Sequence, residues 1–149
     1  MSIIELVMVV AIMGIMAALA IPRFAAASAS RRLDGATQRL LADLRHAQQH
    51  ALATSADVQV VFDADTETYV VNAPSPVTGA TSYSVRLSDP PARVTIESVT
   101  FASNRAVFGG HGLPLADGTI RLRVGDFATD IKVVAGTHAA AVAPAALVK

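Results

Sequence analysis

The chain of 149 residues has no cysteine, so no disulfide holds it together. An oxidising compartment still stays open to it, because such compartments permit disulfides without requiring them. It has no net charge either, with 12 Lys and Arg against 12 Asp and Glu, and no global field draws it to nucleic acid or anionic lipid. No basic residue precedes Arg23. That absence argues against a secretory signal, which needs a basic opening and an apolar stretch of about 7–15 residues. Here the apolar stretch runs longer, and Ala18-Leu19-Ala20 would have to serve as the cleavage site. Also missing is any nucleophile, base and orienting group at a readable spacing, which leaves enzymatic activity little support.

What is present at the start is an apolar run over residues 1–22 that carries one charge, Glu5. Roughly 20 apolar residues at about 1.5 Å rise make a helix long enough to cross a bilayer, and a carboxylate within such a span costs on the order of 3 kcal/mol. An acid in that position implies a partner. A plain membrane anchor leaves Glu5 without a purpose, and a buried core helix is usually shorter. Gly14 and Pro22 mark a weak stretch, since Pro removes a backbone donor and Gly lowers helix stability.

Helical spacing continues from about residue 23 to 55, with Leu33, Leu40, Leu44, Ala47 and Ala51 on one stripe and Gln38, Ala42, Arg45 and Gln49 opposite. Beyond Ser55 the period becomes alternating and turn residues multiply, the mark of a β head. Residues 58–62 and 68–71 read as a hairpin around Asp63-Ala64-Asp65-Thr66-Glu67, and residues 82–87 as a strand with Tyr83, Val85 and Leu87 on one face. Residues 93–101 alternate with a slip between Ile96 and Val99 that predicts a bulge. Residues 119–124 and 127–134 flank Gly125-Asp126, a type II′ hairpin turn that sets Ile120 opposite Ile131 and Arg121 opposite Asp130.

Ile3-Ile4-Glu5-Leu6, the block from Ala11 to Pro22 and the Arg23-Phe24 after it closely resemble the N-terminus of type IV pilins and type II secretion pseudopilins. In that register Glu5 meets the family's near-invariant glutamate and Met1 its first processed residue. The resemblance implies a short basic leader removed by a prepilin peptidase that also N-methylates Met1. It implies that Glu5 pairs with a neighbour's N-terminal amine, each neutralising a charge that a low-dielectric filament core would penalise. It also implies that the stretch between Gly14 and Pro22 unwinds, against which stands a simple kink at Pro22. The head is similar to the GspH/FimT group through Leu41-Ala42-Asp43-Leu44-Arg45-His46-Ala47, Val107-Phe108-Gly109 and Gly118-Thr119-Ile120.

Some members of that group hold DNA through a Gly-Arg motif after the last strand. This chain has Gly136-Thr137-His138-Ala139 there, which disfavours DNA as a partner and leaves Arg121 and Arg123 as a solvated strand face. His46 and His50 stand four apart but show no third metal ligand, and read as a solvated helix face. Asp63, Asp65 and Glu67 lack the Gly and distal Glu of a calcium loop, and Gly109-Gly110-His111-Gly112 reads as a turn. No metal, cofactor or catalytic residue is expected. The uncharged stretch over residues 139–148 is expected either to fray or to pack on a neighbour or on its own sheet.

The fold expected is α+β, a long N-terminal helix, membrane-spanning before assembly, on a small antiparallel head. The expected division is 1–24 as anchor and filament core, 25–55 as amphipathic continuation and 56–149 as head. The expected function is a structural subunit of a type IV pilus-like filament; the alternatives are a minor pseudopilin of type II secretion and a DNA-uptake minor pilin. Expected partners are copies of itself or other pilins, the inner membrane before assembly, pilus assembly machinery and the prepilin peptidase. The location expected is the bacterial inner membrane, then a periplasm-spanning or surface filament. Arg23, Arg31 and Arg32 would by themselves keep the C-terminal side cytoplasmic; the implied leader reverses that, facing the head outward.

Overall fold

The computed structural model describes the backbone of residues 3–136, 140–142 and 146–147, with side chains for 3–16 and 24–136. Among the described residues one helix, α1 (Ile3–Thr54), leads into nine strands: β1 (Val58–Asp63), β2 (Thr68–Val71), β3 (Tyr83–Arg86), β4 (Thr95–Val99), β5 (Arg105–Phe108), β6 (Gly118–Val124), β7 (Phe127–Val133), β8 (Ala140–Val142) and β9 (Ala146–Leu147). A short 3-10 turn, Ala102–Asn104, precedes β5. The strands form two antiparallel sheets. The first runs β3-β2-β1-β5; the second runs β4-β6-β7-β8, with β9 also on β7.

Helix α1 packs against β1 and β5 of the first sheet and β6 and β7 of the second. The stripe predicted from spacing is the one buried: Leu33, Leu40, Ala47 and Ala51 are fully covered and Leu44 nearly so, with Ala36 and Leu41 beside them. Opposite them stand Val58, Val60, Tyr69, Val71, Ile120, Leu122 and Ile131 from both sheets. Each buried Leu, Ile or Val removes roughly 1.5–3 kcal/mol of unfavourable hydration, so this seam is where the two sheets and the helix are held together. Leu52, at the end of the stripe, is exposed.

Helix α1 stops where Ser55 turns left-handed at φ 51° and the Ala56 N–H donates to the Ala51 carbonyl at 3.3 Å, satisfying a carbonyl left open at the helix end. Alternation carries the strands as the sequence predicts. Ile120 pairs with Ile131 and Arg121 with Asp130, and the ladder between β4 and β6 shifts between Ile96 and Ser98, the predicted bulge. Gly125 has φ 56° while Asp126 stays out of the left-handed region, as a II′ turn requires. The tail pairs with its own sheet: Val133 faces Ala140, and Ala128 faces Ala146. The offset slips by one residue between β8 and β9.

One part of the fold expectation is corrected. A long helix does pack on an antiparallel head, but among the described residues no helix is long and apolar enough to cross a membrane. The apolar start of the helix also carries Glu5 in its first turn, a charge that a hydrocarbon core penalises. The expected location in the inner membrane before assembly is corrected with it, since no helix among the described residues would hold the chain there.

Candidate functional site: the exposed helix and its mount

Among the described residues, the longest run of exposed large apolar side chains lies on the first part of α1. Every large apolar side chain described from Ile3 to Met16 is exposed, from 49% at Val9 to 83% at Ile3, and Phe24 follows at 78%. A rod this apolar and this bare is an association surface, since exposed patches of that extent mark binding sites. Glu5 sits in the first turn of α1, where unpaired N–H groups and the positive helix end favour an acid. A Cβ at Gly14 would meet nothing, and α1 is helical across both Gly14 and Pro22 in the isolated chain. Met1, expected to be the processed and methylated terminus, lies outside the described residues.

What fixes the rod to the head is a clasp that spacing alone did not reveal. Asp43, on α1, accepts hydrogen bonds from the Tyr69 hydroxyl at 2.5 Å and the Tyr83 hydroxyl at 2.9 Å. These are the chain's two tyrosines, one on β2 and one on β3. Burial, reinforced by the hydrogen bond and charge of Asp43, pushes both hydroxyls well above their ordinary pKa. Hydrogen bonds to a charged acceptor are stronger than neutral ones, so one carboxylate ties α1 to two strands. A signal was available: Asp43 lies next to the apolar stripe, where an acid needs partners.

His46 and His50 are not simply solvated. The His46 ring packs 6.2 Å from Tyr83 and stacks on His50 at 6.5 Å, and its Nδ1 is buried with no hydrogen-bond partner among the described residues. The glycine run at 109–112 is a turn that seats the end of α1. A Cβ at Gly110 would lie 2.6 Å from the Ser55 carbonyl, the Gly110 N–H donates to Asp57 at 3.2 Å, and the Gln48 amide donates to the Gly112 carbonyl at 2.7 Å. Only glycine permits so close an approach at position 110.

The other candidates are tied into structure. Asp63 Oδ1 accepts the N–H groups of Asp65 and Thr66, and hydrogen bonds from Thr66, side chain first, hold its carboxyl below the usual range. The Glu67 carboxylate turns away from them to accept the Ile96 N–H of β4. Arg121 makes a two-point contact with Asp130 at 2.6 and 2.9 Å, and Arg123 reaches Glu97 at 3.1 Å. Both cations are thereby engaged on the sheet. The end of the Gly136-Thr137-His138-Ala139 segment lies outside the described residues.

A bare apolar helix mounted on a two-sheet antiparallel head is a pseudopilin-like fold, consistent with a filament subunit. The family Type II transport protein GspH matches residues 36–137, more than half of the chain, from the clasp helix through β7. The chain belongs to this family, the type II secretion pseudopilins. Members are structural and non-catalytic, so the chain is not an enzyme, and membership implies partners in an assembly machinery. Comparison with curated proteins gives no match, and neither does comparison with solved structures.

Proposed function

We propose that the chain is a minor pseudopilin of a type II secretion system, a structural subunit that enters a filament by burying residues 3–16 of α1 against other subunits. The observation that carries this is the run of exposed apolar side chains from Ile3 to Met16 on a head that belongs to the GspH family. Burial of such a surface supplies association energy at about 25 cal/mol per Å², although ordering and lost motion consume much of it. Glu5 then meets the N-terminal amine of a neighbouring subunit, Met1 being the processed residue, and the pairing sets axial register. Gly14 and Pro22 permit the helix between them to unwind when subunits pack. In this reading residues 1–24 serve as filament core, 25–55 as the mounted helix and 56–149 as the head. The processing peptidase and the secretion assembly machinery are the partners.

Secretion of an exoprotein from a strain deleted for this gene tests the reading. Secretion should be lost, restored by the parent chain and not restored by Glu5→Ala at equal abundance. Normal secretion together with loss of pili would make the chain a type IV pilus subunit instead. Salt-sensitive DNA binding abolished by substituting Arg121 and Arg123 would favour the DNA-uptake alternative.

A further inference from the structure

Directly after the bare rod, α1 and the segment after β2 enclose an open groove of about 830 Å³. Its helix wall runs from Phe24 to Arg39 along one face of α1, about 22 Å, and its other wall is residues 84–87 and 89–92. The floor is low because Gly35 and Ala36 lie in it, and a Cβ at Gly35 would touch nothing.

Four arginines line this groove, Arg31, Arg32 and Arg39 from the helix and Arg86 from β3, against one acid, Asp89. Among the described residues none of the four makes an ion pair, the pairs being Arg121 with Asp130 and Arg123 with Glu97. Arg32 does donate to the Ser28 carbonyl at 3.4 Å. Four guanidiniums without a carboxylate partner, beside apolar walls that include Pro90, Pro91 and Ala92, are complementary to carboxylates carried on an apolar chain, which arginine recognises in two-point geometry.

We propose that this groove binds an extended acidic peptide segment of another protein, with aspartates or glutamates at positions i and i+4 and small apolar residues between them. The spacing follows from the walls. About six or seven extended residues fill 22 Å at roughly 3.3 Å each. Arg31 and Arg39 stand about 12 Å apart along α1, close to the separation of side chains i and i+4 on one edge of an extended chain. Single-stranded nucleic acid fits less well, because it needs a series of stacking rings and the groove offers only Phe24.

The test measures fluorescence anisotropy of a labelled, end-blocked peptide Asp-Val-Ala-Val-Asp-Val-Ala with the full chain held in mild detergent. Its comparators are the peptide with both aspartates changed to asparagine and a short oligothymidylate. The acidic peptide should bind saturably, and the asparagine peptide about tenfold or more weaker. Arg31→Ala with Arg39→Ala should weaken it similarly. Gly35→Leu keeps every arginine and fills the floor, so a folded Gly35→Leu chain should also lose the peptide. Equal binding of the asparagine peptide, indifference to these variants, or tighter binding of the oligothymidylate each overturns the proposal. Peptide binding is independent of the secretion reading, and a chain that fails to restore secretion should still bind.

Discussion

The Tyr69 hydroxyl donates to Asp43 at 2.5 Å, joining the centre of the first sheet to α1 across 26 positions of sequence. Tyr69 is fully buried, so its hydroxyl has no water to fall back on.

Asp43→Ala should therefore destabilise the chain by about 2–3 kcal/mol, because it strands a buried hydroxyl as well as breaking a charge-assisted bond. Tyr69→Phe, which removes the hydroxyl together with its need for a partner, should cost less. Urea unfolding at neutral pH measures both. A larger loss for Tyr69→Phe than for Asp43→Ala would show that ring packing rather than the clasp dominates.

Alkali should reveal the same contact. The folded pKa of both tyrosines is raised by burial and by Asp43, so the stability they contribute is complete below the unfolded value of about 10 and is lost as pH climbs above it. Ultraviolet titration should show no tyrosinate in the folded chain near pH 10. Tyrosinate signal at the ordinary value, with the fold intact, would contradict the burial and pairing.

Acid tests the strand pair. The Asp130 carboxyl is held low chiefly by the hydrogen bond from Arg121, opposed by burial. Its stabilising contribution is present above the unfolded value of about 3.9 and lost as pH falls through the folded one. Arg121→Ala should raise the Asp130 pKa, read by NMR titration, with little effect on the unfolding midpoint at neutral pH because the pair is partly exposed. An unchanged Asp130 titration would remove Arg121 as the cause.

Two glycines should respond in opposite directions. A Cβ at Gly118 would lie 2.2 Å from the Phe101 ring, and that ring is itself stacked on Phe62 at 6.3 Å, so Gly118→Ala should cost about 1–3 kcal/mol by overpacking. Gly35 is helical with open space beside it, and Gly35→Ala should stabilise by about 0.5–1 kcal/mol. Thermal melting of the two variants decides both.

Where function was legible in the sequence, it was carried by local pattern. Leu41-Ala42-Asp43-Leu44 with Gly118-Thr119-Ile120 pointed to the family that residues 36–137 match. An apolar count over residues 1–22 suggests a membrane span, but among the described residues no helix is long and apolar enough to cross a membrane. The groove was not legible: Arg31, Arg32 and Arg39 look like an ordinary solvated helix face until β3 brings Arg86 and the proline segment across from them.

Periodicity and turn chemistry act between near neighbours, so residue order alone determined the helix stripe from Leu33 to Ala51, the bulge in β4 and the pairing of Ile120 with Ile131. Tertiary structure alone decided that the strands divide into two sheets, that both tyrosines converge on Asp43, and that the tail adds to β7. These contacts join residues far apart in the chain, and their partners are selected by shape and charge only after the core has closed.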